Sequence, residues 1–204
     1  IIPPNPNNEL TVLVTGASSG IGFATAQKFI AEGYKVVMAA RRLDRMDTYK
    51  NTLTPEVAER VLCVQMDVCD LASVDVAFSN LPEPFQNIDI LVNNAGLAKG
   101  SHPIHEGILT DWDMMINTNI KGLLYVSRLV SAQMVARKKG HIINIGSAAS
   151  EEPAPNGAVY AATKAAVDML TRGMRIDLYK HKIRVSAVHP GMVEGAEFSL
   201  VRFD

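Results

Sequence analysis

Along this chain, short apolar runs rich in β-branched residues alternate with longer stretches whose apolar positions recur every three or four residues. The runs at 10–14, 34–40, 60–66, 88–92, 141–145 and 183–188 predict six β-strands, most of them stopped by glycine, asparagine, aspartate or proline. The helical spacing predicts helices over 21–32, 71–80, 110–137 and 158–179, the first closed by Gly33 and the third by Gly140. Thr110, with Asp113 three residues on, is the expected N-cap of the third helix. Inside that helix, Asn117-Thr118-Asn119-Ile120-Lys121-Gly122 brings together poor helix formers, so a kink is expected near Asn119.

Regular alternation of strand and helix argues for an α/β fold: a doubly wound parallel sheet, covered on both faces, in three layers. The expected organisation is a loose tail over 1–9, rich in proline and asparagine, followed by one domain over 10–204 that carries every functional residue. In such sheets ligands bind beyond the carboxyl ends of the strands. The chemistry-bearing residues fall there.

The first strand ends in Thr15-Gly16-Ala17-Ser18-Ser19-Gly20-Ile21-Gly22 and passes directly into a helix. Glycines let the backbone turn tightly and approach a pyrophosphate, and the first-turn N–H groups of the helix face the anion. Ser18 and Ser19 can add hydroxyl donors. Beyond the second strand, where an acid would bind the ribose hydroxyls of NAD, the chain carries Arg41 and Arg42; Asp44 comes later and is placed to begin a helix. A guanidinium fork suits a 2′-phosphate, which points to NADP. The bland alternatives are an empty glycine turn and two solvated arginines.

The central stretch runs from His141 to Asp168. Its strand ends at Gly146-Ser147; a loop with Pro153, Pro155 and Gly157 follows, and then the last long helix, on which Tyr160 and Lys164 stand four apart on one face. A phenol ordinarily loses its proton near pH 10, and a nearby ammonium lowers that value. Tyr160 could then exchange a proton with a carbonyl or an alcohol, and Ser147 could hydrogen-bond the same oxygen. An ordinary surface tyrosine–lysine pair is the alternative.

Composition narrows the partners. Net charge is −1 with no basic stripe, which offers no footing for nucleic acid. No apolar run is long enough to span a bilayer, and the first residues have neither the basic flank nor the apolar block of a signal peptide. Cys63 and Cys69 are too few for a disulfide framework, and five scattered histidines form no metal-ligand pattern; His102 and His105 are expected in solvent. No metal is expected, and a reducing, cytoplasmic setting is.

Taken together, T-G-A-S-S-G-I-G at 15–22, N-N-A-G at 93–96, Asn119, Ser147, Y-x-x-x-K at 160–164 and P-G at 190–191 resemble the short-chain dehydrogenase/reductase family, over nearly the whole chain. Finer stretches, including the closing P-G-M-V-E-G-A-E-F-S-L-V-R-F, look like its branch of NADP-dependent 3-hydroxy acid dehydrogenases. The resemblance implies a Rossmann-like sheet and an NADP-dependent enzyme interconverting a secondary alcohol and a ketone, on small 3-hydroxy acids such as serine or allo-threonine. By the same resemblance Tyr160 is the catalytic acid/base and Lys164 the residue that lowers its pKa and holds the nicotinamide ribose. Ser147 orients the substrate oxygen, and Asn119 positions a water in the proton relay.

For the cofactor the resemblance implies Gly16, Ser18, Ser19, Gly20, Ile21 and Gly22 at the pyrophosphate, Arg41 and Arg42 at the 2′-phosphate, and Asp67 and Val68 at the adenine. Asn94 falls on the ribose side, and Pro190, Gly191 and Val193 on the nicotinamide side. Ala196 stands where many members have threonine, and the family usually continues past position 204 with a helix and strand that cover the substrate. A homotetramer built on the helices 110–137 and 158–179 is also implied. A general carbonyl or 3-oxoacyl reductase, and a regulatory NADP-binding protein without turnover, remain as alternatives.

Overall fold

The computed structural model describes residues 9–191 and Val193. Six strands, β1 (Thr11–Thr15), β2 (Lys35–Ala40), β3 (Val61–Gln65), β4 (Ile90–Asn93), β5 (Gly140–Ile145) and β6 (Ile183–Val188), form one sheet in the order β3-β2-β1-β4-β5-β6. Every pairing is parallel, with Leu13 opposite Val37 on one side and Leu91 on the other. The order reverses between β1 and β4, which opens a crevice above their carboxyl ends.

Alternate strand positions feed two cores, which is why the strands read as continuous apolar runs. Val12, Val14, Val36 and Met38 point to one face and pack with Phe29 and Ile30 of α1 (Gly20–Ala31) and Met46 of α2 (Leu43–Lys50). Leu13, Val37, Leu91 and Ile142 point to the other and meet Val74 of α4 (Leu71–Ser79) and Val126, Val130 and Met134 of α6 (Leu123–Arg137). A short α3 (Pro55–Ala58), started by proline after Thr54, was not foreseen.

Two expectations about the middle helix meet different outcomes. The break near Asn119 is real: α5 (Leu109–Ile116) passes through a π-helical turn, Asn117–Gly122, before α6 begins. The Thr110 N-cap is not formed. Ile108 caps the helix instead, because its carbonyl accepts the N–H groups of Asp111 and Trp112 and starts the helix earlier, leaving Thr110 inside the first turn. The last helix, α7 (Ala158–Tyr179), follows a short 3-10 turn at Ala148–Ser150.

A buried polar chain joins the sheet to its helices near the carboxyl ends. Asn93 Nδ2 donates to Ser127 Oγ (2.8 Å) and to Asn144 Oδ1 (2.9 Å), and Asn144 Nδ2 donates to Thr171 Oγ1 (2.9 Å). Such a network fixes one register of α6 and α7 on the sheet, since a slip would strand each amide without a partner.

Candidate active site

The glycine turn between β1 and α1 is held by β4. Asn94 Nδ2 donates to the carbonyls of Thr15 (3.0 Å) and Gly16 (3.3 Å), and Thr15 Oγ1 accepts from the N–H groups of Asn94 and Ala95. The approach tolerates only glycine. Gly16 has φ +65°, and a Cβ there would lie 2.9 Å from Ala95 Cα; a Cβ on Gly22 would lie 2.4 Å from the Gly16 carbonyl oxygen.

At the start of α1 the Ser19 side chain makes no capping bond, and the first turn carries no acid. Arg42 reaches this end: Nη2 lies 2.9 Å from Ser19 Oγ and 3.3 Å from Ser18 Oγ. Helix N–H groups, two hydroxyls and a guanidinium thus converge on one spot, and that donor set fits a phosphate. Arg41 is exposed beside it, its carbonyl accepting from Gln65 Nε2, and no carboxylate stands at the end of β2. Gly20 and Ile21 are half-buried in the same turn.

Asp67 accepts the Cys69 N–H, and Val68 is buried against Gly122 of the π turn. Pro190 accepts the Ala148 N–H at the far rim; Gly191 and Val193 are exposed there. Of the rest of that loop, Ala196 lies outside the described residues.

Across the crevice, Lys164 is 5% exposed. Its Nζ donates to the Ile145 carbonyl (2.9 Å), two residues before Ser147, and lies 5.9 Å from the centre of the Tyr160 ring. A Cβ on Gly96 would come within 3.2 Å of Asn119 Oδ1 and 3.4 Å of Lys164 Nζ, so that glycine lets the two side chains share one place. Both amide hydrogens of Asn119 are committed, to the Leu97 carbonyl and to Thr163 Oγ1, and its Oδ1 accepts the Leu97 N–H. The amide therefore braces the loop against α7; a water at the π turn would have to be held by main-chain groups. Ser147 Oγ accepts the Ala149 N–H (3.2 Å), which leaves its own hydrogen for another acceptor.

Burial pulls the Lys164 ammonium from the ordinary lysine value of 10.5 down to about 8, against the opposing pull of Asp168 one turn along. Asp168 in turn meets His189 Nε2 at 2.5 Å, a contact that sequence spacing does not reveal; the ring fits because Gly146 has no side chain. The depressed value makes a stability prediction. Between pH 8 and 10.5 the unfolded chain keeps a proton that folded Lys164 has shed, so the cost of burying the charge is full below pH 8 and fades as pH rises. Relative to Lys164→Met, the wild type should gain on the order of 3 kcal/mol across that window. Urea midpoints of both proteins from pH 7.5 to 10.5 check this, and parallel curves would show an ordinary lysine.

Tyr160 opens onto a cavity of about 310 Å³ lined by Trp112, Met115, Ile104, Ile108 and Val159, with Lys99, His102 and Asp111 among the polar groups. His102 is exposed, as expected, yet it borders this cavity and is not simply a loop residue in solvent. The structure thus gathers Asn119, Tyr160 and Lys164 on one side of the crevice and the glycine turn with Arg42 on the other.

A nucleotide turn facing a tyrosine–lysine helix defines a class, and comparison agrees: the short chain dehydrogenase model matches residues 10–200, and the chain belongs to that family. It is 45% identical over 194 residues to the NADP-dependent 3-hydroxy acid dehydrogenase YdfG of Salmonella typhi, covering 95% of this chain and 77% of the relative. It is 43% identical over 192 residues to the serine 3-dehydrogenase of Rhizobium radiobacter, covering 94% and 75%. Among solved structures, the closed form of serine dehydrogenase complexed with NADP+ superposes with a TM-score of 0.90 at 44% identity, covering 95% of this chain and 76% of that one.

Proposed function

We propose that this chain is an NADP-dependent oxidoreductase that interconverts an alcohol and a carbonyl on small 3-hydroxy acids, giving a ketone from allo-threonine and an aldehyde from serine. The observation that carries the reading is the buried Lys164 ammonium, tethered to Ile145 and 5.9 Å from the ring of Tyr160, which opens on the cavity. NADP, when bound, supplies the acceptor or donor of the hydride.

The protein handles the proton. In the oxidising direction Tyr160, acting as the base beside the Lys164 charge, takes the proton of the substrate hydroxyl while Ser147 donates a hydrogen bond to the same oxygen. The electron pair of the C–H bond leaves with the hydride, and the carbon is left as a carbonyl. Asn119 braces this arrangement and stands beside Lys164 for proton return to solvent. Gly16, Ser18, Ser19, Gly20, Ile21 and Gly22 would hold the pyrophosphate, Arg41 and Arg42 the 2′-phosphate, Asp67 and Val68 the adenine, and Asn94, Pro190, Gly191 and Val193 the ribose and nicotinamide side. A pure binding protein would have no use for a buried ammonium aimed beside a phenol.

A panel followed by NADPH absorbance tests the substrate. Serine, allo-threonine and 3-hydroxyisobutyrate should be oxidised with NADP; a response only to bulky ketones or thioesters would favour a general carbonyl or 3-oxoacyl reductase. Exposed Met169, Ile176 and Tyr179 on α7 support a homotetramer, which light scattering checks against a monomer. No helix of the described residues is long and apolar enough to cross a membrane.

A further inference from the structure

The cavity beside Tyr160 carries two charges of opposite sign. Lys99 leaves the loop after β4 and Asp111 stands in the first turn of α5; both are half-buried and both line the cavity. Among the described residues neither has an ion-pair partner, and they do not pair with each other. Gly100 between them has φ +73°, and its missing side chain lets the Asp111 carboxylate approach: a Cβ there would lie 2.9 Å from Asp111 Oδ2 and 3.4 Å from His102 Nδ1. Ile108, Trp112 and Met115 make an apolar part of the wall, while His102, Asn156 and Tyr160 add polar groups to it.

Two opposite charges facing one small cavity offer a ligand of mixed charge an electrostatic partner for each of its charges. A ligand that meets both must itself be a zwitterion. Resting on the reading above, we infer that Lys99 takes the carboxylate and Asp111 the ammonium of a 2-amino-3-hydroxy acid, so that the site prefers such amino acids to 3-hydroxy acids lacking the amine. The two contacts fix the C2 end of the molecule, which carries both charges, and the neighbouring hydroxyl-bearing C3 is left to face Tyr160 on the same cavity. Asp111 has a competing structural use, since an acid in the first turn also favours the helix dipole. That use predicts no dependence on the ligand's charge.

The test uses the full chain, with its single tryptophan, Trp112, as reporter on the cavity wall. L-serine, serine methyl ester and 3-hydroxypropionate are titrated against the wild type, Lys99→Met and Asp111→Asn, and kcat/KM is measured with NADP for the same three compounds. Lys99→Met should weaken serine and 3-hydroxypropionate by about tenfold or more and leave the ester within about twofold. Asp111→Asn should weaken serine and the ester and spare 3-hydroxypropionate. Losses shared equally by all three compounds, or no loss, overturn the assignment even if the wild type oxidises serine. Charge-selective binding without oxidation of any of the three would keep the subsite and remove the dehydrogenase reading.

Discussion

Replacing Tyr160 with phenylalanine is expected to lower kcat by about 10²–10⁴-fold, the span usual for loss of a positioned acid/base, while the Kd of NADPH stays within a few-fold. The ring remains, so the wall of the cavity and its packing beside Lys164 remain with it. Only the hydroxyl group is lost. Stopped-flow single turnovers with serine, alongside a fluorescence titration with NADPH, separate the two effects. A variant that still turns over at near wild-type rate would remove Tyr160 from the chemistry and pass the role to another hydroxyl, Ser147 being the first to examine. A variant that loses NADPH as well would show the change to be structural.

Changing Arg41 and Arg42 together to alanine should weaken NADP by about 10- to 100-fold, the worth of hydrogen bonds to a charged group, and shift NAD far less. Both side chains are exposed, so the fold should not suffer. Arg42 also holds the Ser18 and Ser19 hydroxyls, and its loss will loosen the turn for either nucleotide by a small common factor. The excess loss on NADP is the signal. Equal losses for the two cofactors would reject a phosphate clamp and leave Arg42 as a loop brace.

Much of this architecture is readable without coordinates, and the reason is local. Each strand is an uninterrupted apolar run because both faces of a parallel sheet are covered, and α7 keeps its helical period over all of Ala158–Tyr179. The π turn announces itself through Asn117, Asn119 and Gly122. What escapes a linear reading depends on which segments become neighbours. Thr110 looks like a cap until the chain before it bends so that Ile108 offers its carbonyl first. Asp168 and His189, or Asn93, Asn144 and Thr171, are unremarkable polar residues until β5 lies between β4 and β6. The positions expected to serve the cofactor and the chemistry do gather at the carboxyl rim, whereas the opposed charges of Lys99 and Asp111 have no signature in the chain, because a cavity is a property of the fold.

The reversal of strand order between β1 and β4 also sets a sequence of events during synthesis. The first turn cannot be secured until Asn94, 79 positions after Thr15, has emerged and β4 has zipped against β1. Lys164 gains its tether only once β5 and the following helix are in place. The contacts that close the nucleotide turn thus lie earlier in the chain than the tether of Lys164, and a molecule frayed through β6 and β5 should fall silent as a catalyst while it can still hold part of its coenzyme.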